Sequence, residues 1–123
     1  MRSYGPYPAR CIEVHDGDTL VLDLDLGFGV LLVGKDWDGK TKLSCRVYGI
    51  NAPELSTPEG KEALAYAKTL IGPGDRVLVT SYGWDKYGGR FNGTIKLADG
   101  ADFASRMLSA GHAKTYYGGA KEA

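Results

Sequence analysis

Leucines at positions 20, 22, 24 and 26 alternate with Val21, Asp23 and Asp25, a period of two that predicts a half-buried strand. Just upstream, residues 10–15 read as a first strand with Ile12 and Val14 facing inward, and Asp16-Gly17 between the two runs is a hairpin signal. Gly27-Phe28-Gly29 predicts a bulge or bend, after which Val30 to Val33 continues extended. Trp37-Asp38-Gly39-Lys40 supplies another turn, and Leu43, Cys45 and Val47 form the inward face of a third strand. Arg46 lies between them in parity and therefore faces away from that core.

Beyond Asn51 the period lengthens. Ser56-Thr57-Pro58-Glu59 has a capping-box pattern with a proline suited to a first helical turn. Ala63, Leu64, Ala67, Leu70 and Ile71 make an apolar stripe, so a helix is expected over about residues 58–71, stopped by Gly72-Pro73-Gly74. Val77 and Val79 mark a fourth strand and Thr94 to Leu97 a fifth. Asp102 is a candidate N-cap for a short helix carrying Phe103, Met107 and Leu108, closed at Gly111. The order β-β-β-α-β-β-α predicts a mainly β, α+β domain: a five-stranded OB-fold barrel with one main helix and one short C-terminal helix. The expected division is an N-terminal arm over residues 1–9, the barrel over 10–117 and a flexible tail over 118–123.

Composition sharpens this picture in three places. Eighteen glycines in 123 residues suit the tight turns of a small barrel better than a helical bundle. Fifteen basic residues balance fifteen acidic ones, which argues against a purely electrostatic nucleic-acid binder but leaves room for a local site of mixed charge. Cys11 and Cys45 fall in apolar strand-like runs and are expected as buried free thiols. Neither they nor His15 and His112 show a zinc-ligand spacing. No run approaches membrane-spanning length, and Met1 to Arg10 has no apolar stretch resembling a signal peptide. The expectation is a monomeric cytoplasmic protein, with a mature secreted form equally compatible.

Three polar signatures carry candidate chemistry: Asp16-Gly17-Asp18-Thr19, then Arg46 followed by Asn51-Ala52-Pro53-Glu54, then Asp85-Lys86-Tyr87-Gly88-Gly89-Arg90. Asp-Gly by itself means a turn, yet Asp18 is not needed for the turn and would sit at the mouth of a barrel. Asn51 to Glu54 offers a carboxylate, an amide oxygen and backbone carbonyls, the hard oxygens that calcium takes, and Asp18 would complete the set. Glu54 has a second reading as a general base holding a water. Arg46 and Arg90 are either solvated surface charges or a pair of guanidinium forks for a phosphate. Lys86 and Tyr87 lie in a turn from which they would reach a phosphate or sugar, with packing of Tyr87 on the barrel as the alternative. Tyr116 and Tyr117 suit base stacking or capping of the core equally well. Trp37, at a hairpin tip, is either a substrate contact or an exposed turn tryptophan without a role.

Taken together, these motifs and the element order over about residues 10–117 resemble the staphylococcal nuclease family. The resemblance implies an OB-type barrel carrying a calcium-dependent phosphodiesterase that cuts DNA and RNA and leaves 3′-phosphates. By motif, Asp18 matches a metal aspartate, Ala52 the residue lending the metal its backbone carbonyl, and Asn51 falls where the family usually has a second metal aspartate. Glu54 matches the essential glutamate, Arg46 and Arg90 the two catalytic arginines, and Lys86 with Tyr87 the phosphate-binding pair. The chain departs from the pattern in the amide at Asn51, in one extra glycine before Arg90, in a longer segment from Thr19 to Arg46 and in the lack of a final C-terminal helix.

The expected substrate is single-stranded or frayed nucleic acid, held without a membrane. A catalytically inactive barrel that binds nucleic acid or a protein is the alternative. Asn51 favours that alternative, whereas Asp18, Arg46, Glu54 and Arg90 favour catalysis. A plain single-strand-binding OB domain is the third reading, and the neutral net charge argues against it.

Overall fold

The structure is a computed structural model describing residues 2–86 and 88–117. Its elements are β1 (Tyr4–Asp16), β2 (Thr19–Gly27), β3 (Val30–Leu32), β4 (Ser44–Val47), β5 (Gly49–Asn51), α1 (Pro58–Leu70), β6 (Arg76–Trp84), β7 (Arg90–Lys96), α2 (Phe103–Ser109) and β8 (Lys114–Tyr116). Strands pair in the order β1-β6-β7-β4-β2, and β1 pairs again with β2, so five strands close into a barrel. All these pairings are antiparallel except β4 with β7, giving the mixed barrel of an OB-type α+β fold. β3 extends the sheet from β2, and β5 pairs with β8 in a separate two-stranded ribbon. Leu20, Leu22, Cys45, Val79 and Ile95 fill the barrel, with Phe103 and Met107 of α2 and Ala63 and Ala67 of α1 packed on it.

The structure departs from the sequence expectations in identifiable ways. β1 begins at Tyr4, because residues 4–10 pair with Ser81 back to Arg76 on β6. Ile12 is only half-buried. The β1–β2 register shifts between Cys11 and Glu13, so inward parity passes from Ala9 and Cys11 to Val14 and skips Ile12. The N-cap of α1 is Thr57 rather than Ser56: its hydroxyl accepts from Gly60 N at 3.0 Å, with Pro58 opening the helix. Asp102 caps α2 as expected, accepting from Ser105 N at 2.9 Å. β7 starts at Arg90, earlier than the apolar pattern indicates, and this puts Arg90 on a strand instead of in a loop. Among the described residues, no helix is long and apolar enough to cross a membrane.

Candidate active site

The first corner of the site is the β1–β2 hairpin. Asp16 pairs with Thr19, and the turn is tightened by Asp18 N donating to Asp16 Oδ1 at 3.0 Å. A Cβ on Gly17 would lie 2.7 Å from the Ala52 Cβ, so only glycine lets this turn press against the chain after β5. That approach brings Ala52 N to Asp18 Oδ2 at 2.8 Å, while Thr19 Oγ1 donates to Oδ1 at 3.1 Å. The Asp18 carbonyl accepts from Val47 N at 2.8 Å, fixing the turn beside β4. The Asp18 side chain is 11% exposed and lies 3.7 Å from Arg46 Nη2. Burial dominates its titration, and contact with Asp16 adds to it. These outweigh the Ala52 N–H and the Arg46 charge and push the carboxyl up to about 6.

The second corner is built by strand register. Thr19 on β2 and Asn92 on β7 flank Arg46 on β4, and Ser44 pairs with Arg90. Period two therefore puts Arg46, Asn92 and Arg90 on one outer face. Arg46 Nη1 donates to the carbonyls of Val47 at 2.9 Å and Ile50 at 2.8 Å, and Nη2 to Asn51 Oδ1 at 3.2 Å. Backbone and amide thus lock the guanidinium, 17% exposed, and leave its Nε–H and second Nη2–H without a bond to the described residues. Its Cζ lies 5.9 Å from the Tyr116 ring centroid, within cation–π range. Arg90, 42% exposed, donates from Nε to Asp85 Oδ2 at 2.6 Å. Gly88 and Gly89 both take positive φ, so the turn absorbs the extra glycine before Arg90 begins β7.

Arg46, Asn51, Arg90 and Asn92 line one cavity of about 420 Å³, walled by Tyr48, Tyr82, Tyr116 and Tyr117. Tyr48 packs edge-on against Tyr82 at 4.9 Å and tilted against Tyr117 at 5.5 Å. Glu54 lies instead on a neighbouring cavity of about 350 Å³, and Asn51 lines both. The Glu54 loop is tied to α1: its carbonyl accepts from Thr57 N at 3.0 Å and Thr57 Oγ1 at 2.7 Å. Lys86 is exposed in the β6–β7 turn, and Tyr87 lies outside the described residues. Trp37, 93% exposed, lines neither cavity.

The fold therefore gathers Asp18, Arg46 and Asn51 into direct contact, adds Arg90, Tyr116 and Tyr117 around one cavity, and holds Glu54 on the next. Sequence reasoning missed Tyr48, Tyr82 and Asn92. Tyr48 was accessible to it, since it follows Arg46 by one strand period. Asn92 becomes a neighbour only through the β4–β7 register.

The profile of the family described as "Staphylococcal nuclease homologue" matches residues 44–123. A probable staphylococcal-like nuclease of Oryza sativa subsp. japonica, CAN2, is 34% identical over 111 residues, which are 87% of this chain and 29% of the relative. A second from the same organism, CAN3, is 33% identical over the same shares. The chain thus spans 29% of the length of these curated relatives. With the profile covering most of its length, the chain belongs to the staphylococcal nuclease homologue family.

Proposed function

We propose that this chain is a calcium-dependent phosphodiesterase that hydrolyses single-stranded or frayed DNA or RNA and leaves 3′-phosphate ends. The observation that supports it most is the pair of arginines opening on one tyrosine-walled cavity, with the buried Asp18 carboxylate behind Arg46. A guanidinium fork matches two phosphate oxygens, and aromatic walls take unstacked bases of any kind.

The donor set fits a hard cation in kind. Asp18 is desolvated and crowded by Asp16, a repulsion that a bound cation would relieve. Asp18, with the Asn51 amide oxygen and the Ala52 carbonyl, would hold the ion. Among the described residues there is no cluster of three or more Asp, Glu, His or Cys, and Asn51 supplies no charge, so the site fits weak rather than tight binding. When bound, the ion would polarise a phosphate oxygen and help position water.

The remaining steps belong to the chain's own residues. Arg46 and Arg90 bind the scissile phosphate and neutralise charge that builds on its equatorial oxygens. Lys86 and Tyr87 contact a phosphate or sugar of the substrate, and Tyr116 and Tyr117 stack a base. Glu54 orients a water and accepts its proton as the water oxygen bonds to phosphorus. The bond to the 5′ oxygen breaks in line, and the leaving alkoxide takes a proton from solvent.

Arg46→Lys and Glu54→Gln are each expected to lower kcat on denatured DNA by about 10²-fold at unchanged melting temperature. Near wild-type turnover in either variant removes that residue from the mechanism. The amide at Asn51 favours a second reading, an inactive binding barrel. Incubating denatured DNA with calcium or with chelator separates the two: calcium-dependent cutting supports the enzyme, and a mobility shift with no cutting supports the binder.

A further inference from the structure

The β5–β8 ribbon contributes to the lining of both the arginine cavity and the one holding Glu54. Its three residue pairs are Gly49 with Tyr116, Ile50 with Thr115, and Asn51 with Lys114. Arg46, Arg90 and the tyrosines line the first cavity; Ala52, Glu54, His112 and Lys114 line the second. Asn51 is common to both, so a polynucleotide lying over the ribbon would pass from one cavity to the other at this residue.

Lys114 faces Asn51 directly across the ribbon, with Cβ atoms roughly 5 Å apart in such a pair. Asn51 carries no charge to neutralise it, and Lys114 makes no ion pair among the described residues. Lys114 is exposed and lines this second cavity. Beside it, His112 is held by stacking on Tyr66, with ring centroids 4.9 Å apart and planes at 27°. The second cavity therefore presents an unneutralised cation and a fixed imidazole next to the residue shared with the arginines. Glu54 lines the same cavity and repels phosphate, so an anion there would be held by Lys114 and His112.

We propose that this second cavity is a subsite for the phosphate adjacent to the scissile one, with Lys114 as its cation and the His112 ring N–H as a second donor. The proposal rests on the phosphodiesterase reading above, and it implies that substrates with several phosphates are used better than a single phosphodiester.

The test uses the full chain with single-stranded octathymidylate and, for comparison, a nitrophenyl phosphodiester of thymidine. For Lys114→Ala the ratio of kcat/KM between octamer and monomer should fall about tenfold, chiefly through KM on the octamer, and Lys114→Arg should restore it. Titrating labelled octamer in chelator across a salt series should give a slope shallower by about 0.7 for Lys114→Ala. His112→Phe keeps the ring stack and should lower the same ratio by a smaller factor. If the wild type binds and cuts the octamer while Lys114→Ala matches it in ratio and salt slope, the subsite is wrong and the nuclease reading stands. If the wild type neither binds nor cuts the octamer, both fall.

Discussion

Asp18 sits in a fold that works against its charge. Its carboxyl titrates near 6 in the native protein because burial and Asp16 outweigh Arg46 and the Ala52 N–H, whereas the unfolded chain holds an ordinary aspartate of about 3.9. Between those values the native state binds more protons than the unfolded one. Stability therefore falls as pH rises from about 4 to about 6, and the full penalty persists above. Asp18→Asn should remove it, since the amide oxygen still accepts from Ala52. In chelator at neutral pH the variant should melt higher, by about 4 °C for each kcal/mol recovered, with the difference vanishing below about pH 4. A calorimetric pH series showing equal or lower Tm for the variant at neutral pH would refute this account. Asp18, Arg46 and Asn51 were legible in the motifs as candidate site residues. The Gly17 contact with Ala52 was not, because it joins residues far apart in the chain.

The elements carry the next level of constraint. Gly60 lies inside α1, where glycine ordinarily costs about 1 kcal/mol relative to alanine. Here a Cβ would meet the Glu54 carbonyl in outright overlap, since the loop before the helix lies directly on it. Gly60→Ala should therefore destabilise by about 1–3 kcal/mol despite its better propensity, and it should also displace Glu54. Denaturant melts and activity measured together check this: a more stable variant of full activity would mean the loop does not depend on that contact. The capping region was readable from Pro58 and its neighbours, although the cap itself is Thr57. The β5–β8 ribbon was not readable, because three-residue strands carry too short an alternation to stand out.

Closure of the barrel is the property of the whole molecule on which the site depends. Parallel pairing of β4 with β7 brings Arg46 beside Asn92 and onto the face of Arg90. The same closure seals Cys45, paired with Phe91, and Cys11 completely from solvent. Burial raises both thiols, Cys11 to about 11, so neither forms a reactive thiolate at neutral pH. Both should react with a disulfide reagent only on opening of the barrel, at a common rate matching exchange of the slowest core amides. Rapid modification of either cysteine under native conditions would show that the barrel opens locally.

By itself the sequence determined the order of the main strands and helices, the outward parity of Arg46, the free core cysteines and the polar motifs. Each of these is written in local spacing, in period two or in a cap or turn residue. Only the tertiary structure decided which of these residues meet. Contact between Asp18 and Ala52, the joint cavity of Arg46 and Arg90, and the placing of Glu54 beside His112 and Lys114 all follow from strand register, barrel closure and two glycines without room for a side chain. Those are relations between distant segments, and no local pattern encodes the distance between them.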